Sequence, residues 1–294
     1  MVDYRMVREE DDASAERSRP AQGCSDAQVA SQPRQQRRDQ LLQTIEGEII
    51  PRLMLVHRVA DGQREPAARA HLRPEAADVE MLARIVLEGD TERSLDFVEG
   101  LLQRGVPLDS IYLDLLAPTA RHLGKMWETD QSDFMQVTIG LWRLQEVLHE
   151  LGPAFLNESE PAEPGRRVFL VPVPGDQHTF GTVIVAEFLR RAGWDVWDDP
   201  GASKDEILRI VRKEWFAVVG LSVSCEQHLE GLPSVIRAIR RASRNPSVGI
   251  MVGGQPFTDH PERVALVGAD ATASDGRQAA LQAQKLVSLL ASRA

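Results

Sequence analysis

The sequence predicts a two-part fold of the α/β plus all-α class: a bundle of four helices followed by a five-stranded parallel sheet covered by helices on both faces. Three observations predict it. Residues 74–157 carry apolar positions at helical spacing throughout, and a Pro-containing linker, EPAEPGRR, occupies 160–167. Beyond it, short apolar runs alternate with amphipathic segments, the rhythm of a parallel sheet whose crossovers are helices.

In PEAADVEMLARIVLEGD, Pro74 stands near a first helical turn, Val79, Leu82, Ile85 and Val86 share one face, and Gly89 marks the stop. Thr91 offers an N-cap and Gly105 a stop for TERSLDFVEGLLQRG. Two longer helices follow, in PLDSIYLDLLAPTARHLGKMWETD and SDFMQVTIGLWRLQEVLHELGPAFL. Short joints between helices imply antiparallel neighbours. After the linker, VFLVPV, WDVWDD, FAVVGLSV, VGIMVGG and ADATASD read as strands, with helices beginning near Gly181, Lys204, Gly231, Pro261 and Arg277. Ligands of such a sheet are favoured at the carboxyl ends of its strands.

Upstream, residues 1–37 are rich in Arg, Gln, Ser, Asp and Glu with little apolar periodicity, so burial there does not offset ordering entropy and a disordered tail is expected. Residues 38–73 hold one apolar helix, through Leu41, Leu42, Ile45, Ile49, Leu53 and Val56, bent or split at Pro51, and then a linker. The expected domains are therefore a tail (1–37), a helix and linker (38–73), a four-helix bundle (74–159) and an α/β domain (160–294).

Bulk properties exclude several classes. The 294 residues are 43% hydrophobic and 27% charged, the balance of a globular chain. No apolar run is long enough to span a bilayer and the charged N-terminus does not read as a secretory signal, so a cytoplasmic protein without membrane partners is expected. A net charge of −10 argues against an autonomous DNA binder. Cys24 and Cys225 make neither a disulfide framework nor a Cys-rich zinc site.

The first strand runs into VPVPGDQHTFG, where Asp176, Gln177, His178 and Thr179 lead to Gly181. A histidine in such a loop is either solvated or a donor. A carboxylate two residues away can accept one imidazole N–H and make the other nitrogen the better metal donor. No second ligand stands at zinc spacing: His228 is isolated in its loop and His260 precedes Pro261. A single axial donor suits a metal whose other ligands come from a macrocycle.

Asp176-x-His178-x-x-Gly181 after a first strand resembles the D-x-H-x-x-G signature of cobalamin-binding domains, and the later signatures follow in order. Ser222 matches the serine of the S-x-L element, with Ser224 where the family usually has leucine, and Gly253 and Gly254 match the G-G element. The resemblance covers roughly residues 74–292. It implies a flavodoxin-like, Rossmann-like cobalamin domain under a bundle cap, with His178 as the lower cobalt ligand and a nucleotide tail held in a slot among the small residues. LGKMW resembles the bundle's L-G-x-x-W stretch, which implies that Trp127 packs over the upper ligand. In adenosylcobalamin photoreceptors Glu-His follows after nine residues; here Val137 and Thr138 stand there, so the upper ligand (adenosyl, methyl or hydroxo) stays open. His122 and His149 read as solvated helix histidines.

A phosphoreceiver shares the topology, but its phosphorylatable Asp has no counterpart in SVSCEQH after the third strand. A cobalamin mutase or methionine synthase needs a substrate barrel that no segment supplies, so a non-enzyme is expected. No helix-turn-helix pattern precedes the bundle. The layout resembles the AerR/PpaA class of cobalamin-binding antirepressors of phototrophic bacteria. That resemblance implies a light-responsive regulator whose partner is a DNA-bound transcriptional repressor of photosystem genes, with little or no direct sequence-specific DNA binding. The alternative is a corrinoid protein carrying a methyl group for a methyltransferase system.

Overall fold

The structure, a computed structural model, describes residues 72–157 and 159–292. The expected tail and the apolar helix after it lie outside the described residues. Helices α1 (Ala76–Glu88) and α2 (Thr91–Gln103) are followed by a continuous rod made of α3 (Leu108–Ser110), a π-helical stretch (Ile111–Leu116) and α4 (Ala117–Glu128), and then by α5 (Phe134–Leu156). The bundle core is largely aliphatic, with Leu82, Val86, Val98, Ile111, Leu115, Leu123, Leu144 and Val147 all fully buried. One boundary differs from the sequence reading. Asp90, not Thr91, caps α2, its Oδ1 accepting from the Arg93 amide at 2.9 Å, because a carboxylate also complements the positive end of the helix.

The α/β part alternates as expected: β1 (Arg167–Pro172), α6 (Phe180–Arg191), β2 (Asp195–Asp198), α7 (Lys204–Lys213), β3 (Val218–Ser222), α8 (Leu232–Ala242), β4 (Gly249–Gly253), short α9 (Gln255–Asp259) and α10 (Arg263–Val267), β5 (Ala271–Ala273) and α11 (Gly276–Ala291). All neighbouring strands are parallel, in the order β2-β1-β3-β4-β5. That order is the flavodoxin-like one. Ile207 and Val211 of α7 and Ile236 and Ile239 of α8 pack with Phe169, Val219 and Ile250 in one core; Ala186 and Leu189 of α6 and Ala283 and Leu286 of α11 pack with Val168 and Val218 in another.

Helix α6 has a second face. Ile184 and Phe188, one turn apart, belong to the bundle core. Phe188 meets Phe155 edge-on at 4.9 Å, and Phe155 stacks on Tyr112 at 4.3 Å. Beside this aromatic group, Asp109 of the bundle is paired with both Arg191 of α6 and Arg277 of α11. Among the described residues no helix is long and apolar enough to cross a membrane.

Candidate cofactor-binding site

Strand β1 lies inside the sheet, with β2 on one side and β3 on the other, so the chain order reverses between β1 and β3, the position at which ligands of such sheets are favoured beyond the strands' carboxyl ends. The loop after β1 begins with a tight turn. The amide of Asp176 donates to the Val173 carbonyl at 2.9 Å across Pro174 and Gly175, and Gly175 has φ 91. Proline first and a left-handed glycine second are what a type II turn requires. Asp176 then closes an Asx turn, its Oδ1 accepting the His178 amide at 3.0 Å, before α6 starts at Phe180.

The same oxygen accepts from the ring. His178 Nδ1 lies 2.8 Å from Asp176 Oδ1, and Ser224 Oγ donates to that oxygen at 2.8 Å while the Ser224 amide donates to Oδ2 at 2.7 Å. The Asp176 side chain is 1% exposed and that of His178 is 73% exposed. Burial alone would push the Asp176 carboxyl up; the bonds from the Ser224 hydroxyl and amide and from His178 outweigh it and hold the group below its ordinary value. The outcome is a buried carboxylate that fixes the Nδ1–H tautomer of an exposed imidazole and leaves Nε2 as its donor atom.

The neighbouring loops are laced to this one. Val173 donates to the Ser222 carbonyl and Val223 to the Gly253 carbonyl, each at 2.9 Å, continuing the parallel ladder beyond the strands. Gly254 has φ 116, and a Cβ there would stand 1.9 Å from the Val223 carbonyl oxygen. Nothing lies within 4 Å of a Cβ built on Gly181, so the entry to α6 is open. Gln177 is exposed and Thr179 half-buried at the start of that helix.

Of the residues singled out in the sequence, Asp176, His178 and Ser224 form one hydrogen-bonded unit, with Ser222 and Gly253 at the ends of β3 and β4, and Gly254 just beyond, beside it. Ser224, which stands where the family usually has leucine, turns its hydroxyl to Asp176: a hydroxyl can satisfy a buried carboxylate, which leucine cannot. One expectation is corrected. His228 is not isolated, because a short 3₁₀ turn (Glu226–His228) brings its Nδ1 to 3.5 Å from Asp176 Oδ2. Fifty-odd residues separate the two, and no local pattern announces the contact.

In the bundle, Trp127 is 49% exposed at the end of α4, edge-on to Phe134 at 6.2 Å. Met135, Ile139 and Trp142 of α5 are exposed too, which makes an apolar surface the sequence reading did not see beyond Trp127. Val137 is buried in the bundle core and the Thr138 hydroxyl donates to the Phe134 carbonyl at 2.7 Å. His122 is half-buried on α4 and His149 exposed on α5.

These residues fit a macrocyclic metal cofactor on chemical grounds: one free imidazole nitrogen with its opposite nitrogen locked, above loops whose glycines leave backbone as the wall. Comparison with known proteins points the same way. Residues 166–283 match the profile of the B12 binding domain, and residues 79–151 match a second B12 binding domain profile. The class supported by fold, loops and both matches is a cobalamin-binding protein. Over 170 residues the chain is 29% identical to an uncharacterised 20.5 kDa protein of the bchF-crtJ intergenic region of Rhodobacter capsulatus, covering 58% of this chain and 88% of that protein. It is 32% identical over 119 residues to the dimethylamine corrinoid protein of Methanosarcina barkeri, covering 39% of this chain and 54% of that one. Among solved structures, the monomethylamine corrinoid protein of Methanosarcina barkeri shares the fold, with a TM-score of 0.61 at 19% identity over 71% of this chain and 98% of its own.

Proposed function

We propose that this chain is a light-responsive, cobalamin-binding antirepressor of the AerR/PpaA type that acts by protein contact on a DNA-bound repressor of photosystem genes. The observation that carries the cofactor part is His178, locked at Nδ1 by Asp176 so that Nε2 would be the atom to hold the cofactor's cobalt. The regulatory part draws support from the relative encoded in the bchF-crtJ photosynthesis region. On this reading the protein is cytoplasmic, catalyses no reaction of its own, and binds promoter DNA little or not at all by itself.

When bound, cobalamin supplies a cobalt–carbon bond that light can break. The chain's own residues do the rest. Asp176 and Ser224 hold the His178 imidazole in one orientation, and the strand ends at Ser222, Gly253 and Gly254 would receive the cofactor's nucleotide tail. The apolar surface of Trp127, Phe134, Met135, Ile139 and Trp142 would pack over the bound macrocycle. With Val137 in the core and the Thr138 hydroxyl already engaged, that cover would act by packing rather than by polar contacts. A signal follows if the two cofactor states favour different bundle positions.

A second reading, a corrinoid carrier for methyl transfer, draws support from the similarity to the dimethylamine corrinoid protein. One experiment separates them. The purified chain is loaded with cobalamin and its visible spectrum and its binding to the repressor are measured in the dark and after illumination. Repressor affinity that changes with light is the expected result; light-independent affinity, with methyl exchange supported by a methyltransferase, overturns the regulatory reading. His178→Ala is expected to weaken cobalamin retention and leave the bound cofactor without its protein ligand, and an unchanged spectrum and affinity would remove His178 from cobalt.

A further inference from the structure

His178 is not the only imidazole on the Asp176 carboxylate. His228 Nδ1 stands 3.5 Å from Oδ2, and Cys225 Sγ lies 3.3 Å from the same Nδ1. The 3₁₀ turn that aims the ring back is closed by the His228 amide on the Cys225 carbonyl at 3.3 Å. The ring stands over the tight turn before Asp176: a Cβ built on Gly175 would be 4.0 Å from His228 Nε2. The His228 side chain is 27% exposed and covers a carboxylate that is itself 1% exposed.

The two carboxylate oxygens are loaded unequally. Oδ1 accepts from the His178 amide, the His178 ring and the Ser224 hydroxyl, whereas Oδ2 holds one full bond, from the Ser224 amide. A bare nitrogen lone pair facing Oδ2 would be repelled, so the buried carboxylate favours the form with a proton on His228 Nδ1, an N–H shared between Oδ2 and Cys225 Sγ. At 3.5 Å this is an electrostatic contact rather than a full hydrogen bond. The ring packs beside a carboxylate that is 1% exposed, so removing it would admit water to Oδ2 or let Asp176 turn. Either event would loosen the oxygen that orients His178.

We propose that His228 is a positioning residue, holding Asp176 through Nδ1 so that Asp176 can hold His178. The consequence for cobalt rests on the cobalamin reading above; the consequence for His178 does not. The full chain is therefore measured first without cofactor, by ¹⁵N resonances of its histidine rings, and then by titration with hydroxocobalamin. In His228→Ala, the His178 ring is expected to shift from a pure Nδ1–H tautomer to a mixture, and hydroxocobalamin to bind about tenfold more weakly, the lower end of what loss of a ligand's outer partner costs. His228→Asn, which returns a donor near the Nδ1 position, is expected to recover both, while the melting temperatures of the two variants stay alike. Unchanged ring resonances and affinity in the alanine variant, or an asparagine variant no better than alanine, overturn the proposal. If the unmodified chain takes up no hydroxocobalamin, the cobalamin reading fails, and the ring resonances still decide the role of His228.

Discussion

At the scale of the residue, the site depends on a few positions with no substitute. Gly254 has φ 116 and ψ 171, a conformation open essentially to glycine, and its hydrogen faces the Val223 carbonyl. Gly254→Ala is expected to cost at least about 1–3 kcal/mol from backbone strain alone. The clash with Val223, one residue before Ser224, adds to that and disturbs the Asp176 contacts. Denaturant midpoints should fall for Gly254→Ala and much less for Gly253→Ala, whose Cβ would rest 3.6 Å from the Ala273 carbonyl in ordinary contact. Asp176, His178 and both glycines were legible in the sequence because each sits at a strand end and carries a chemical or conformational signature of its own. Ser224 was legible as a position but not as a partner, and His228 not at all. Their roles arise only when β1 and β3 lie side by side, and parallel pairing across a long crossover leaves no local trace.

At the scale of the element, β1, β3 and β4 announced themselves as β-branched and aliphatic runs, β2 and β5 as short segments in the same alternation, and the crossover helices as amphipathic stretches. The short α9 and the 3₁₀ turn did not, since one helical turn is decided by what its loop packs against rather than by its own propensity. The aromatic group joining the bundle to α6 was equally hidden, because Tyr112, Phe155 and Phe188 come from three separate helices. It has a measurable signature. Burial lifts the Tyr112 phenol well above its ordinary value, with Glu187 adding to the shift and Arg191 opposing it. The stabilisation linked to this shift is complete below the ordinary tyrosine pKa of about 10 and is lost as pH rises above it, where the unfolded chain releases the proton and the folded one keeps it. Denaturation midpoints followed from pH 9 upward should therefore fall more steeply for the unmodified protein than for Tyr112→Phe; parallel curves would show that this phenol is not protected.

At the scale of the whole molecule, one helix serves two cores. α6 leaves the His178 loop and gives Ile184 and Phe188 to the bundle, while Ala186 and Leu189 face the sheet. The bundle and the His178 loop are thus joined through one helix, and Asp109 of the bundle is paired with Arg191 of that helix and with Arg277 of α11. On the proposed function, this is the physical link between the upper face of the cofactor and the surface a partner would sense.

The π-helical stretch in the bundle rod carries a consequence for how this chain tolerates change. Ile111, Leu115, Thr119, Leu123 and Trp127 follow one another in steps of four, and the first four of them are fully buried. Ordinary α-winding would carry such a series about 160° around the rod by its last member. Underwinding at Ile111–Leu116 takes that drift back, as a single inserted residue absorbed in place does. Deleting Asp114 shortens the first step to three, leaving a drift of about 60° that a plain α-helix with gentle curvature can accommodate. The shortened protein is expected to fold, with Leu123 still in the core and Trp127 still quenched or exposed to the same degree by fluorescence; a red-shifted, unfolded spectrum would mean that the extra residue is indispensable. The rod is in this sense a spliced gear, with one surplus tooth that keeps both of its ends in mesh.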